Sequence, residues 1–275
     1  MALLHPHHDR GRHVLLDNQD HRIRSDGGVP TQSEADQTPH HFMRLVPYAR
    51  LVPGMLLMDA KLPQVQRYDR IVAMLLPPFY LIGLVGHAVD ALFPLMMALT
   101  PLTIFLTVVV AYAPVALVHD ARLALWVIIT AAFTLVLEII GVATGLIFGS
   151  YAYGEMLGLR LFEVPLVIGL NWTVIIVGCI ALMERITSNT PLIIVSTGLL
   201  AVGFDWIMEP VAIALDYWTW DGVVVPLHNY VAWGVIAMVF AALFRAMRLH
   251  APSRVATLIV LVQALFFSGL RFIIG

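Results

Sequence analysis

The sequence predicts an all-α, polytopic transmembrane helix bundle of about seven helices with a disordered polar N-terminal tail. Two features of composition and one of arrangement carry this. Hydrophobic residues make up 60% of the 275 residues and charged ones only 12%, a balance at odds with a fully hydrated surface on a water-soluble domain of this size. The charge is lopsided as well: residues 1–70 hold 17 of the 34 Asp, Glu, Lys and Arg side chains and 7 of the 11 His. Beyond residue 70 comes a series of apolar runs, each approaching the roughly 20 residues that cross a 30 Å hydrocarbon core.

In chain order, residues 1–42 are rich in His, Asp, Arg, Gly and Pro without helical or strand periodicity, and are expected to be a disordered tail. Histidines such as His7, His8, His40 and His41 fit a solvated tail better than a metal site. A basic start followed at once by an apolar core, the pattern of a cleaved signal, is missing, and Met43, Met55 and Met58 are alternative starts. Residues 43–70 mix basic and apolar side chains, as a segment lying on a membrane surface does. A seven-helix transmembrane domain is expected over 71–275. Its apolar runs are Ile71–Val89, about Leu95–Val118, Leu123–Ile140, Val164–Leu182, Leu192–Met208, about Val223–Phe244 and Val255–Ile274. Pro94, Pro101 and Pro114 can kink the second. The only cysteine, Cys179, lies within an apolar run, so neither an internal disulfide nor a thiolate metal site is available.

Lys and Arg set the expected orientation. Lys61, Arg67, Arg70, Arg122, Arg185, Arg245, Arg248 and Arg254 fall on one side of the seven runs, Arg160 and Arg271 on the other. The N-terminus is therefore expected in the cytoplasm and the C-terminus outside, with a bacterial inner membrane as the setting. The formal net charge of −2 gives no reason to expect a nucleic-acid partner; membrane lipid is the surrounding.

The most informative stretch is Leu137–Trp172, which carries a carboxylate within an apolar run, glycines at 141, 145 and 149, a Tyr-Ala-Tyr turn and Asn171-Trp172. Glu138 lies 16 residues past Arg122, about 24 Å along a helix. Asp205 lies 14 residues past Pro191, about 21 Å along its own helix, with Glu209 one turn further on the same face. Asn229 and His228 come in from the same side. Three acids thus reach one level with no intramembrane Lys or Arg to pair them, an arrangement retained for function more readily than for structure. Trp206, Trp218, Trp220, Trp233, Tyr151, Tyr153, Asn171 and Trp172 are expected around them as substrate contacts. Gly141 and Gly145 share a stripe with Glu138 where a helix or a flat ligand can approach closely.

Burial favours the neutral form of a carboxyl, and a neighbouring acid favours it further. A carboxyl that keeps its proton near neutral pH is a proton donor. It can protonate an isolated carbon–carbon double bond, leaving a tertiary carbocation that aromatic faces stabilise and a held water captures. Asp205 or Glu209 is the expected donor, Glu138 the group that positions water, and Asn229 and His228 further polar contacts. No metal and no cofactor is needed.

At these residues the chain resembles the membrane carotenoid hydratases, or carotenoid biosynthesis proteins, through EIIGVATGLIFGSYAYGEMLG with VPLVIGLNW and DWIMEPVAIALDYWTW with VPLHNYVAW. The resemblance covers roughly residues 70–245. It implies addition of water to the terminal 1,2 double bond of an acyclic carotenoid end, as in lycopene, γ-carotene or a bacterioruberin precursor, and other carotenoid-pathway enzymes as neighbours. That family often carries Asp-Pro where this chain has Glu209-Pro210, and an aliphatic residue or proline near Gly169.

Two other classes use seven helices or buried acids. A retinal protein needs a lysine inside the bundle for its Schiff base, and Lys61, the only lysine, precedes the first run. A proton-coupled transporter uses acids at mid-depth on broken helices, whereas these acids lie toward one side. A non-catalytic carotenoid-binding protein would use the same pocket. His119-Asp120 reads as a solvated turn, and His87 with Asp90 as the mouth of the site at most.

Overall fold

The computed structural model describes residues 53–222 and 224–274, with side chains from residue 63. The polar tail over 1–42 and the surface segment up to residue 52 lie outside the described residues. Seven long helices run through the rest: α1 (Pro53–Ala88), α2 (Phe93–Val118), α3 (Ala121–Thr144), α4 (Leu166–Met183), α5 (Thr190–Ala214), α6 (Leu227–Ala246) and α7 (Val255–Ile274). Each holds a stretch long and apolar enough to cross a membrane, as in an integral, multi-pass membrane protein.

One helix end differs clearly from the sequence reading. α5 continues through Pro210 to Ala214 instead of stopping at Met208, because a proline loses one backbone bond but keeps a helical φ. α2 runs through Pro101 and Pro114 to Val118, as its apolar run predicts. Pro114 leaves the carbonyl of Val110 without its helical donor, and the Tyr68 hydroxyl of α1 donates to it at 2.8 Å, the substitution that a low-dielectric setting demands. Residues 53–70 are the first turns of α1, continuous with its membrane-crossing part.

α4 is the axle. Its residues from Trp172 to Ala181 are all buried, and it packs against α2, α3, α5, α6 and α7. A helix that is apolar on every side belongs inside a bundle. Glycines set its closest crossings. A Cβ on Gly169 would sit 2.5 Å from the Ala131 carbonyl of α3, and one on Gly178 would sit 2.6 Å from the Ala256 carbonyl of α7. Thr257 donates to the Gly178 carbonyl across the latter crossing at 3.1 Å. Small residues with a hydroxyl bond to backbone are how helices hold together where lipid offers no hydrophobic contrast.

The two ends of the bundle differ in chemistry. At the basic end Glu184 accepts from Arg245 at 2.7 Å, Asp69 accepts from Ser253 at 2.5 Å and from the Arg254 amide at 3.0 Å, and Arg122 donates to the Met247 carbonyl. His119-Asp120 is the turn into α3, where the Asp120 carboxylate caps the amides of Arg122 and Leu123.

At the opposite end two loops pair as a ribbon. The Tyr-Ala-Tyr segment is a strand rather than a turn: β1 (Tyr151–Tyr153) lies antiparallel to β4 (Trp218–Trp220), with Tyr151 opposite Trp220 and Tyr153 opposite Trp218. β2 (Arg160–Leu161) and β3 (Val164–Pro165) form a second small pair. The ribbon sits tightly on the end of α5. The Gly154 amide donates to the Tyr217 carbonyl at 2.9 Å, and a Cβ on Gly154 would stand 1.9 Å from the Asp216 carbonyl oxygen, so only glycine fits.

Gly178→Ala is expected to push α4 off α7 and to lower stability by about 1–3 kcal/mol, the usual cost of overpacking. Gly203→Ala adds its methyl where nothing lies within 4 Å and is expected to match the parent or exceed it. Thermal midpoints of the purified proteins in detergent check both.

Candidate active site

The ribbon roofs a chamber whose polar groups come from three helices. α3 presents Glu138, α5 presents Asp205 and Glu209, and α6 presents Asn229; their exposures are 4%, 0%, 3% and 2%. All four border one cavity of about 80 Å³. Asp205 and Glu209 share a wall because four residues bring a helix back to the same face.

Sequence alternation explains how the acids are held. In a strand, residues i and i+2 point to one face, so Tyr-Ala-Tyr and Trp-Thr-Trp each aim both aromatics inward. Ala152 and Thr219 are left exposed. The hydroxyls of Tyr151 and Tyr153 donate to Glu138 Oε2, the second at 2.8 Å. Trp172 of α4 donates its indole N–H to Oε1 at 2.8 Å. The indoles of Trp218 and Trp220 donate to Glu209 Oε2 at 3.0 and 3.1 Å. Each strand therefore serves one acid. Asp205 is treated differently: Asn229 donates to Oδ2 at 2.8 Å, and Oδ1 is buried with no partner among the described residues.

Burial and the adjacent Glu138 push the phenols of Tyr151 and Tyr153 well above the ordinary tyrosine value, so both remain protonated as donors through the neutral range. The apolar walls are rich in π faces. Trp172 and Trp233 stack with ring centroids 3.9 Å apart and an interplanar angle of 26°, and Tyr151 lies 5.0 Å from Trp220. Among the described residues no group of three or more His, Cys, Asp or Glu side chains could hold a metal ion.

Most of the side chains expected at the site meet there. Besides the four polar groups, Tyr151, Tyr153, Asn171, Trp172, Trp218, Trp220 and Trp233 border the cavity. Four do not. Gly141 lies beneath Phe148, whose ring would be 2.7 Å from an added Cβ, so it seats a wall residue instead of touching the cavity. Gly145 ends α3 in the left-handed conformation at φ 67°. Trp206 follows Asp205 and so points outward, 57% exposed, with the Arg271 guanidinium 5.3 Å from its ring centroid in a cation–π contact. His228 is exposed, outside the roof near Gly149. Tyr217 and Gln263 also border the cavity and were missed; Gln263, a lone amide among the apolar residues of α7, is the kind of signal that could have found it.

Neither a curated protein nor a solved structure matches the chain. The sequence profile of the carotenoid biosynthesis proteins does, over residues 68–274, a range that takes in the whole acid chamber and its roof. With three-quarters of its length matched, the chain belongs to the carotenoid biosynthesis protein family.

Proposed function

We propose that this protein is a carotenoid 1,2-hydratase, a hydro-lyase that adds water to the terminal double bond of an acyclic carotenoid end such as that of lycopene or γ-carotene. The observation that carries the reading is Asp205: wholly buried, bordering the chamber, with one oxygen fixed by Asn229 and the other without a partner among the described residues. An oxygen so placed suits a proton that is given to substrate. Glu138, with three donors already aimed at it, suits a fixed acceptor.

The steps balance without an electron carrier. Asp205 Oδ1 gives its proton to C2 of the double bond, and the π pair forms the new C–H bond. The tertiary cation left at C1 lies among the faces of Trp172, Trp233 and their neighbours, which stabilise positive charge. Water adds to C1, and the proton it sheds returns to a carboxylate, restoring the starting state. Glu209 Oε1, which accepts no hydrogen bond among the described residues, and Glu138 are the groups suited to orient that water. With the basic end in the cytoplasm, the chamber lies toward the outer face. A protein that only binds carotenoid would use the same walls and is separated from this reading by its product.

Expressed in a lycopene-producing host, the protein is expected to yield a more polar pigment heavier by one water. Asp205→Asn is expected to lower that conversion by about 10²–10⁴-fold, the usual worth of a general acid, with the protein still inserted and folded. Unchanged conversion by Asp205→Asn, Glu138→Gln and Glu209→Gln alike would refute acid catalysis. Tyr153→Phe removes one neutral donor from Glu138 and is expected to cost about 1 kcal/mol of stability, read as a lower thermal midpoint, with a smaller fall in conversion than Asp205→Asn.

A further inference from the structure

The chamber is too small for a long polyene. At roughly 10–15 Å³ of such space per water, its volume of about 80 Å³ takes a handful of waters or a branched end group. A second cavity of about 250 Å³ adjoins it, walled by α1, α2 and α7 through residues such as Phe79, Gly83, Leu99, Thr103 and Phe266. The two share Ile104, Tyr217, Gln263 and Phe267, so these side chains form a neck between them. Phe79, Ile82, Leu99, Leu102 and Leu106 of the second cavity are exposed on the outer surface of the bundle, and the groove therefore opens sideways between α1 and α2.

We propose that this groove binds the polyene chain of the substrate, admitted laterally from the lipid, while the neck passes its acyclic end to the acids. The proposal rests on the hydratase reading for the identity of its ligand. Three features of the groove support it. Its lining is apolar and partly aromatic, as a hydrocarbon chain requires. Its neck is held by hydrogen bonds rather than left to side-chain packing: Tyr217 pairs with Thr100 at 3.1 Å, and Gln263 donates to Tyr80 at 2.9 Å, which pairs with Thr107 at 3.2 Å. Finally, Gly83 leaves space on the α1 wall, where an added Cβ would meet only Phe266, at 3.5 Å and beyond.

The test fills the groove and leaves the chamber untouched. Purified wild type, Gly83→Phe, Thr103→Trp and Gly83→Ala are compared for lycopene retained after gel filtration, for hydration of lycopene, and for hydration of a ten-carbon acyclic hydrocarbon with the same end group. Gly83→Phe and Thr103→Trp are expected to lose retention and lycopene hydration by tenfold or more while keeping hydration of the short hydrocarbon; Gly83→Ala should behave as wild type. Retention and hydration at wild-type levels in both filled variants would overturn the groove and leave the hydratase reading standing. Groove-dependent retention without hydration of either compound would support the groove and sink the chemistry. Thermal midpoints equal to wild type keep a loss of fold from imitating a filled groove, and a variant that fails this check is replaced by Leu99→Trp on the α2 wall.

Discussion

A carboxyl group buried within a helix bundle must meet donors or be put to use, and this constraint organises the molecule. Glu138 and Glu209 meet donors: two tyrosines and a tryptophan for one, two tryptophans for the other. Asp205 is only half provided for, through Asn229. The rest of the structure places these groups. The alternation of β1 and β4 turns four aromatics inward, Gly154 lets the ribbon close onto the end of α5, and α4 brings Trp172 up from below. Unpaired polar atoms in a low dielectric are costly, and among the described residues the bare oxygen of Asp205 is one of two such buried atoms on residues that border the chamber, the other being Gln263 Oε1.

The scaffold beneath is closely packed for an equally physical reason. α4 is enclosed by five helices, and its glycines bring backbones close enough that even a methyl group would collide. α1 and α2, by contrast, expose much of their length, and the side cavity lies in their wall. The closely packed α4 thus stands beside a more open flank that carries the side cavity.

The fold was legible in the sequence because length and apolar composition alone mark a membrane-crossing helix, so seven runs gave seven helices. Their ends were less so: the apolar run of the fifth stops at Met208, whereas the helix continues through Glu209 and Pro210 to Ala214 because proline keeps a helical φ. The convergence of Glu138, Asp205, Glu209 and Asn229 followed from depth counted at 1.5 Å per residue. Depth does not give direction around the helix, which is why Trp206 was expected inside although its position next to Asp205 turns it outward. The ribbon was hidden because three-residue strands leave almost no periodic signal, and pairing between loops 65 residues apart leaves none. Tyr217 and Gln263 are less legible because neither carries a charge at neutral pH, although a solitary amide in an apolar helix marks a buried polar contact in the same way.

The order in which the donors occur along the chain bears on how the protein enters the bilayer. Glu138 is followed 13 and 15 residues later by Tyr151 and Tyr153, and Glu209 by Trp218 and Trp220 after 9 and 11. Each of these acids thus finds two partners in the segment synthesised directly after its own helix, and Glu138 gains a third when Trp172 arrives with α4. Asp205 has no such local provision and depends on Asn229, which arrives only with α6. The acid with one oxygen left bare in the finished protein is also the last to be accommodated as the chain emerges.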